Sequence, residues 1–145
     1  LSYKSGSKYV TVSAAGKATI KKNFCGRVTI TVTSPATDNY KAAAAVKVTL
    51  NVRPGKMAIK SAVNLSGKKL KVTWTKQTGA ASYQVQYAAN SRFTSGKKQA
   101  SVSGASKTFT GLTKGRTYYV RIRAYNRTLK KYGAWSAVKK VKIAK

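Results

Sequence analysis

The sequence predicts an all-β chain whose short strands close as sandwiches, and three observations predict it. Polar and apolar residues alternate with period two, as in Val10-Thr11-Val12-Ser13, Arg27-Val28-Thr29-Ile30-Thr31-Val32 and Lys69-Leu70-Lys71-Val72-Thr73-Trp74. That period sends successive side chains to opposite faces of a strand. No stretch sustains a helical period. Clusters of Gly, Asn and Ser interrupt the alternation at intervals of about 8–12 residues, the spacing of turns in sandwiches and barrels.

Five strands are expected in the first part of the chain, at residues 1–4, 9–13, 17–21, 27–33 and 43–52. The strongest interruption follows. Asn51-Val52-Arg53 runs into Pro54-Gly55, a pair that ends a strand because proline lacks an N–H and glycine weakens extended structure. We place a domain boundary there, which gives segments 1–54 and 55–145. In the second segment, Leu70, Val72 and Trp74 alternate toward a core. Tyr83-Gln84-Val85-Gln86-Tyr87 is read as a third strand with Tyr83, Val85 and Tyr87 inward, residues 118–126 as a sixth, and 138–143 as the last.

Composition excludes more functions than it selects. Thirty Lys and Arg face one acid, Asp38, with no histidine, for a formal net charge of +29. General acid–base catalysis leans on histidine or on carboxylates with separated pKa values, and one carboxylate cannot fill those roles. Zinc needs Cys or His ligands and calcium several carboxylates, whereas this chain offers Cys25 and Asp38. No catalytic residue, cofactor or metal is therefore expected. With 42% hydrophobic residues, nine Tyr, two Trp and three Phe, the chain has the means to fold despite its charge. Cys25 has no partner for a disulfide and is expected to act as a small buried hydrophobe. No apolar run reaches the roughly 18 residues of a transmembrane helix, and the opening Leu1-Ser2-Tyr3-Lys4 resembles neither a leader nor a chain start, so a longer parent is expected.

Segment 1–54 resembles the second part of bacterial immunoglobulin-like repeats of the invasin/intimin kind. The likeness rests on Ser2-Tyr3-Lys4-Ser5, Gly16-Lys17-Ala18-Thr19-Ile20, Gly26-Arg27-Val28-Thr29-Ile30-Thr31-Val32 and Asn39-Tyr40-Lys41-Ala42-Ala43. The resemblance implies further strands ahead of the first one here. Segment 55–145 resembles a fibronectin type III domain. Trp74 sits where that family keeps its core tryptophan, and Leu112-Thr113-Lys114-Gly115-Arg116-Thr117-Tyr118 resembles the tyrosine corner. Tyr132-Gly133-Ala134-Trp135-Ser136 resembles the tryptophan–serine box of receptor domains. Two tandem immunoglobulin-like/fibronectin type III sandwiches are the implied fold.

If the third, sixth and seventh strands share a sheet, Gln84, Gln86, Tyr119, Arg121, Arg123, Tyr125, Lys140 and Lys142 line one outward face. Rings among cations and amides suit polyanions or glycans, since rings stack on sugars while cations meet phosphate or carboxylate. In the receptor domains resembled, however, such arginines interleave with tryptophan as a structural ladder, a role open to Arg121, Arg123 and Trp135. Lysine pairs such as Lys68-Lys69 and Lys97-Lys98 flank turns, where charge also keeps sheet edges from pairing. Their near-total lack of acidic counterparts is what solvation leaves unexplained.

The expected function is a non-catalytic binding or adhesion module, secreted or attached to a bacterial cell wall. Anionic polymers such as teichoic acid or a glycosaminoglycan are the expected partners. A specific host protein, for example an immunoglobulin, and a passive spacer are the alternatives. Specific nucleic-acid recognition is not expected, because no recognition helix, zinc finger or RNA-binding motif occurs.

Overall fold

The computed structural model describes residues 1–144, so Lys145, the last residue of the expected second module, lies outside the described residues. The strands are β1 (Ser2–Ser5), β2 (Val10–Val12), β3 (Ala18–Ile20), β4 (Gly26–Ser34), β5 (Ala43–Val52), β6 (Ile59–Leu65), β7 (Lys69–Trp74), β8 (Ser82–Ala88), β9 (Lys98–Val102), β10 (Ser106–Phe109), β11 (Thr117–Asn126), β12 (Lys131–Tyr132) and β13 (Lys139–Lys142). The described residues contain no helix. The first five strands follow the alternation so closely that each bound lies within one residue of its expected place.

The second region is a closed sandwich. One sheet runs β10-β7-β6 and the other β12-β11-β8-β9, with β13 also on β11. Alternation fills the space between them: Leu70, Val72 and Trp74 from β7 meet Tyr83 and Val85 from β8 and Tyr118, Val120, Ile122 and Ala124 from β11. Trp74 and Tyr83 pack tilted, with ring centroids 5.6 Å apart, and Tyr87 meets Phe109 and Tyr118 edge-on. The Tyr118 hydroxyl accepts the Thr113 backbone N–H at 3.2 Å, which ties the start of β11 to the preceding turn.

In the first region, β1-β4-β5 forms one sheet and β2-β3 a two-stranded ribbon. The β4–β5 register sets Val28, Ile30 and Val32 opposite Leu50, Val48 and Val46, so one face of the pair is apolar. Only part of it is covered. Val10, Cys25, Val28 and Ile30 are buried, while Val46 and Val48 stay open to solvent.

The two regions meet through backbone. Cys25 donates its N–H to the Thr78 carbonyl at 2.8 Å, and Thr78 returns one to the Asn23 carbonyl at 2.8 Å. Buried Asn126, the last residue of β11, gives its side-chain N–H to the Gly79 carbonyl at 2.7 Å and lies 3.7 Å from Cys25 Sγ. Gly79 has φ +86°, and a Cβ there would overlap the Cys25 carbonyl, so glycine is required on both counts. Gly133 gives similar access: a Cβ would come within 2.7 Å of the Pro54 carbonyl oxygen.

Candidate functional site

The five-stranded sheet carries the candidate face. In the β8–β11 register Gln86 lies opposite Arg121 and Gln84 opposite Arg123, while β13 sets Lys140 opposite Tyr119 and Lys142 opposite Thr117. With Tyr125 at the end of β11, all eight candidate residues share this face. They do not form one continuous cluster. Gln84, Gln86, Arg121, Arg123 and Tyr125 make one group, and Tyr119, Lys140 and Lys142 lie toward the other end of β11.

The first group is a stack of cations and rings. The Arg121 guanidinium lies 4.0 Å from the Phe93 ring centre on one side and 4.3 Å from Trp135 on the other. Arg123 continues the stack between Trp135 at 4.3 Å and Tyr132 at 4.1 Å, and Tyr132 packs against Tyr125 at 4.6 Å. Amides hold the cations from below. Gln86 Oε1 accepts from Arg121 Nε at 3.0 Å and Nη2 at 2.8 Å, and Gln84 Oε1 accepts from Arg123 Nε at 2.8 Å. Both amide groups donate in turn to Gln99 Oε1, at 3.4 Å from Gln84 and 3.0 Å from Gln86. Cation–π contacts of this kind contribute about 0.5–2 kcal/mol each, increasing as water is excluded.

The tryptophan is held by the residue after it. Ser136 donates its N–H to the Ile122 carbonyl at 2.8 Å, and its Oγ accepts the Ile122 N–H at 3.0 Å and donates to the Ala137 carbonyl at 2.9 Å. Ser136 thus completes the pairing of β11 where no regular strand runs, and Trp135 is laid across both arginines. Burial, with the positive charge of Arg123 beside it, pulls the Arg121 pKa below its ordinary value. Even so, an arginine stays cationic at neutral pH.

This arrangement occupies part of the expected binding group. Gln86 is buried beneath Arg121, because the guanidinium that satisfies its oxygen also covers it. Arg121 and Arg123 spend their faces on rings and several of their donors on amides. Lys140 and Lys142 are exposed, and Tyr119 is half-buried. Three further members were not expected from the sequence. Gln99 reaches the stack because β9 pairs with β8, a register carried by the short run Lys98-Gln99-Ala100-Ser101-Val102. Phe93 arrives from the loop before β9, at φ +59°, where Asn90 accepts the Thr94 N–H at 3.0 Å. Tyr132 is brought by β12, only two residues long.

A groove of about 290 Å³ lies on the same sandwich, lined by Tyr87, Lys98, Gln99, Lys107 and Phe109 among others. Lys107 Nζ stands 5.8 Å over the Phe109 ring.

A family model described as the fibronectin type III domain matches residues 54–139. Among solved structures, a Fn3-like protein from Clostridium thermocellum is 26% identical, with a TM-score of 0.52 over 63% of this chain and 95% of its own. The FN5 domain of Drosophila Lar is 23% identical, with a TM-score of 0.52 over 63% of this chain and 98% of its own. The sixth fibronectin type III domain of human fibronectin type III domain containing protein 3 is 18% identical, with a TM-score of 0.54 over 66% of this chain and 92% of its own. No curated protein matches the chain.

Proposed function

This chain belongs to the fibronectin type III family, whose domains are commonly non-catalytic binding or spacer modules, and from that premise we propose that it is a strongly cationic extracellular binding module of a bacterial surface or secreted protein. The observation that carries the reading is the imbalance of 30 basic residues against one acid. Such a surface attracts polyanions at a distance and raises their capture rate. The proposed partners are anionic polymers, teichoic acid or a glycosaminoglycan, met chiefly by exposed lysines. Likeness to the Clostridium thermocellum protein supports a bacterial setting. Residues 1–54 are read as part of an invasin/intimin-type immunoglobulin-like repeat, supported by the order β1 to β5 and by the uncovered valines of β5.

Heparin and purified teichoic acid titrated over a salt series test the proposal. Affinity is expected to fall steeply between low and high salt, because releasing counterions gains less free energy as the bulk salt concentration rises. Absence of binding even at low salt would overturn it.

A second reading, a passive spacer, is favoured by the occupied state of Arg121 and Arg123, which serve the fold. The variant Tyr119→Ser/Lys140→Ser/Lys142→Ser separates the readings. Tyr125 is left intact because it supports Tyr132. A specific binding face loses capture of its partner in this variant and a spacer loses nothing, while diffuse polymer attraction, which rests on all 30 basic residues, changes little. Capture of a single serum protein by the unaltered chain would favour specific host recognition instead.

A further inference from the structure

We propose that the cleft between the two regions is an oxyanion site that takes one tetrahedral group, a phosphate or sulfate. It lies away from the sheet face discussed above and does not depend on diffuse attraction of polymers. Its walls are Arg27, Asn51, Arg53, Leu129 and Lys131, around a volume of about 170 Å³. Three of these five residues are cations and none is an acid.

The fold brings them together from two directions. Arg27 on β4 pairs in register with Asn51 on β5, on the polar face of the hairpin, and Arg53 follows just beyond the strand. Leu129 comes from the turn joining β11 to β12, where Asn126 Oδ1 accepts its N–H at 2.8 Å, and Lys131 opens β12, paired with Asn126. The Asn126 side chain also grips the junction through the Gly79 carbonyl. Both walls are therefore fixed by bonds that do not involve the ligand, the preorganisation that makes a shaped site.

The donors are oriented and their charge is not neutralised. Asn51 Oδ1 accepts from Arg27 Nε at 3.2 Å, which sets the plane of the guanidinium. Among the described residues, that is the only hydrogen bond the Arg27 side chain makes, and the Arg53 and Lys131 side chains make none. Asp38 lies past the far end of the β4–β5 pair, beyond Ser34. At about 3.3 Å per residue, the strand from Arg27 to Ser34 spans roughly 20 Å. That is more than two Debye lengths, each about 8 Å at physiological salt. Cations held in one cleft repel one another, and a bound anion relieves the repulsion. Guanidinium forks match the oxygen pairs of a tetrahedral oxyanion, lysine adds a point charge, and Leu129 shields one side from water. Because the walls belong to different regions, a bound anion also braces the junction.

Inorganic phosphate and inorganic sulfate, titrated separately at constant ionic strength against chloride and followed by NMR, test the site. Saturable shifts are expected at residues 27, 51, 53 and 129–131. Arg53→Gln should weaken binding roughly tenfold or more, as loss of a charge-assisted hydrogen-bond partner implies. Lys131→Gln, on the opposite wall, checks the result independently, and both exposed positions are expected to leave the thermal midpoint without anion unchanged. The triple variant Lys139→Gln/Lys140→Gln/Lys142→Gln removes more charge elsewhere and should leave binding intact. Non-saturating shifts spread over the lysine-bearing surface, or equal losses in the cleft variants and the triple variant, would overturn the site while leaving diffuse polymer binding standing. Saturable binding in the cleft by a chain that ignores polymers would support the site and sink that earlier reading. Glycerol phosphate oligomers and a sulfated disaccharide, compared at the same site, tell which source carries the group.

Discussion

Leu70 and Val72 on β7 are fully buried, whereas Val46 and Val48 on β5 remain 60% and 48% exposed, although both pairs alternate with polar neighbours in the same way. The difference lies in what stands opposite. The sheet containing β7 faces a five-stranded partner, and its buried residues Ile59, Leu70, Val72, Trp74 and Phe109 form one cluster with side chains from that partner. In the sheet containing β5, Val28 and Ile30 on the central strand β4 are buried, whereas Val46 and Val48 on the edge strand β5 are not, even though Val48 stands directly opposite Ile30. Period two therefore decides which side of a strand is apolar, and only a second layer decides whether that side is dry. A segment of about 60 residues has little surface to bury on its own, which makes the junction with the second region part of the first region's stability.

The largest expected effect sharpens this contrast from the closed side. Trp74→Ala should destabilise the second region by about 3–5 kcal/mol, the cost of emptying a large core position. Denaturant midpoints measure it. An unchanged midpoint would place Trp74 outside the core and erase the contrast. Among the described residues the buried indole N–H has no hydrogen-bond partner, so Trp74→Phe should cost distinctly less than the alanine variant.

Next in size is the junction itself. Gly79→Ala forces a side chain into a positive-φ position, at roughly 1–3 kcal/mol, and drives its Cβ against the Cys25 carbonyl. The two regions should then separate before either unfolds fully. A disulfide reagent reads this directly, because the buried Cys25 thiol should react slowly in the parent chain and quickly in the variant. Equal rates would mean that the junction opens freely already, and that the first region does not lean on the second.

A smaller effect comes from alkaline pH. Burial raises the Cys25 pKa above its ordinary 9.0, against a lowering from the Asn126 side chain. A raised value in the folded state means that the unfolded thiol ionises first. Its contribution to stability is complete below the unfolded pKa and is lost as pH rises through the folded value. Comparing unfolding midpoints near pH 8 and pH 10, the parent should lose more than Cys25→Ala, which lacks the ionising group. Equal losses would remove Cys25 from the account.

The smallest effect is expected on the open side. Val48→Thr exchanges one β-branched residue for another at an exposed position and should change stability by less than about 0.5 kcal/mol. Val72→Thr, at a buried position, should cost more because its hydroxyl enters an apolar core. Similar losses from the two would mean that β5 is covered in solution.

Alternation was enough to place β1 to β5, the inward rows of β7, β8 and β11, and the outward row that carries Gln84, Arg121 and Arg123, because the side to which a residue points follows from its position along a strand. The Trp135-Ser136 pair likewise marked where the arginines would be covered. Other members of the stack were hidden for specific reasons. Phe93 belongs to no strand, Tyr132 to a strand too short to show a period, and Gln99 to an edge whose partner is settled only by pairing with β8.

The amino-acid sequence by itself determined the all-β class, the apolar rows and the excess of positive charge, since these depend on residue type and on neighbours close in the chain. Tertiary structure alone decided that Gln86 would be buried under Arg121, that Val46 and Val48 would stay wet, and that Arg27, Arg53 and Lys131 would line one cleft. Each of these depends on which surfaces meet across long separations in sequence, through contacts such as Asn126 with Gly79 and Cys25 with Thr78. Local alternation carries no term for such distances.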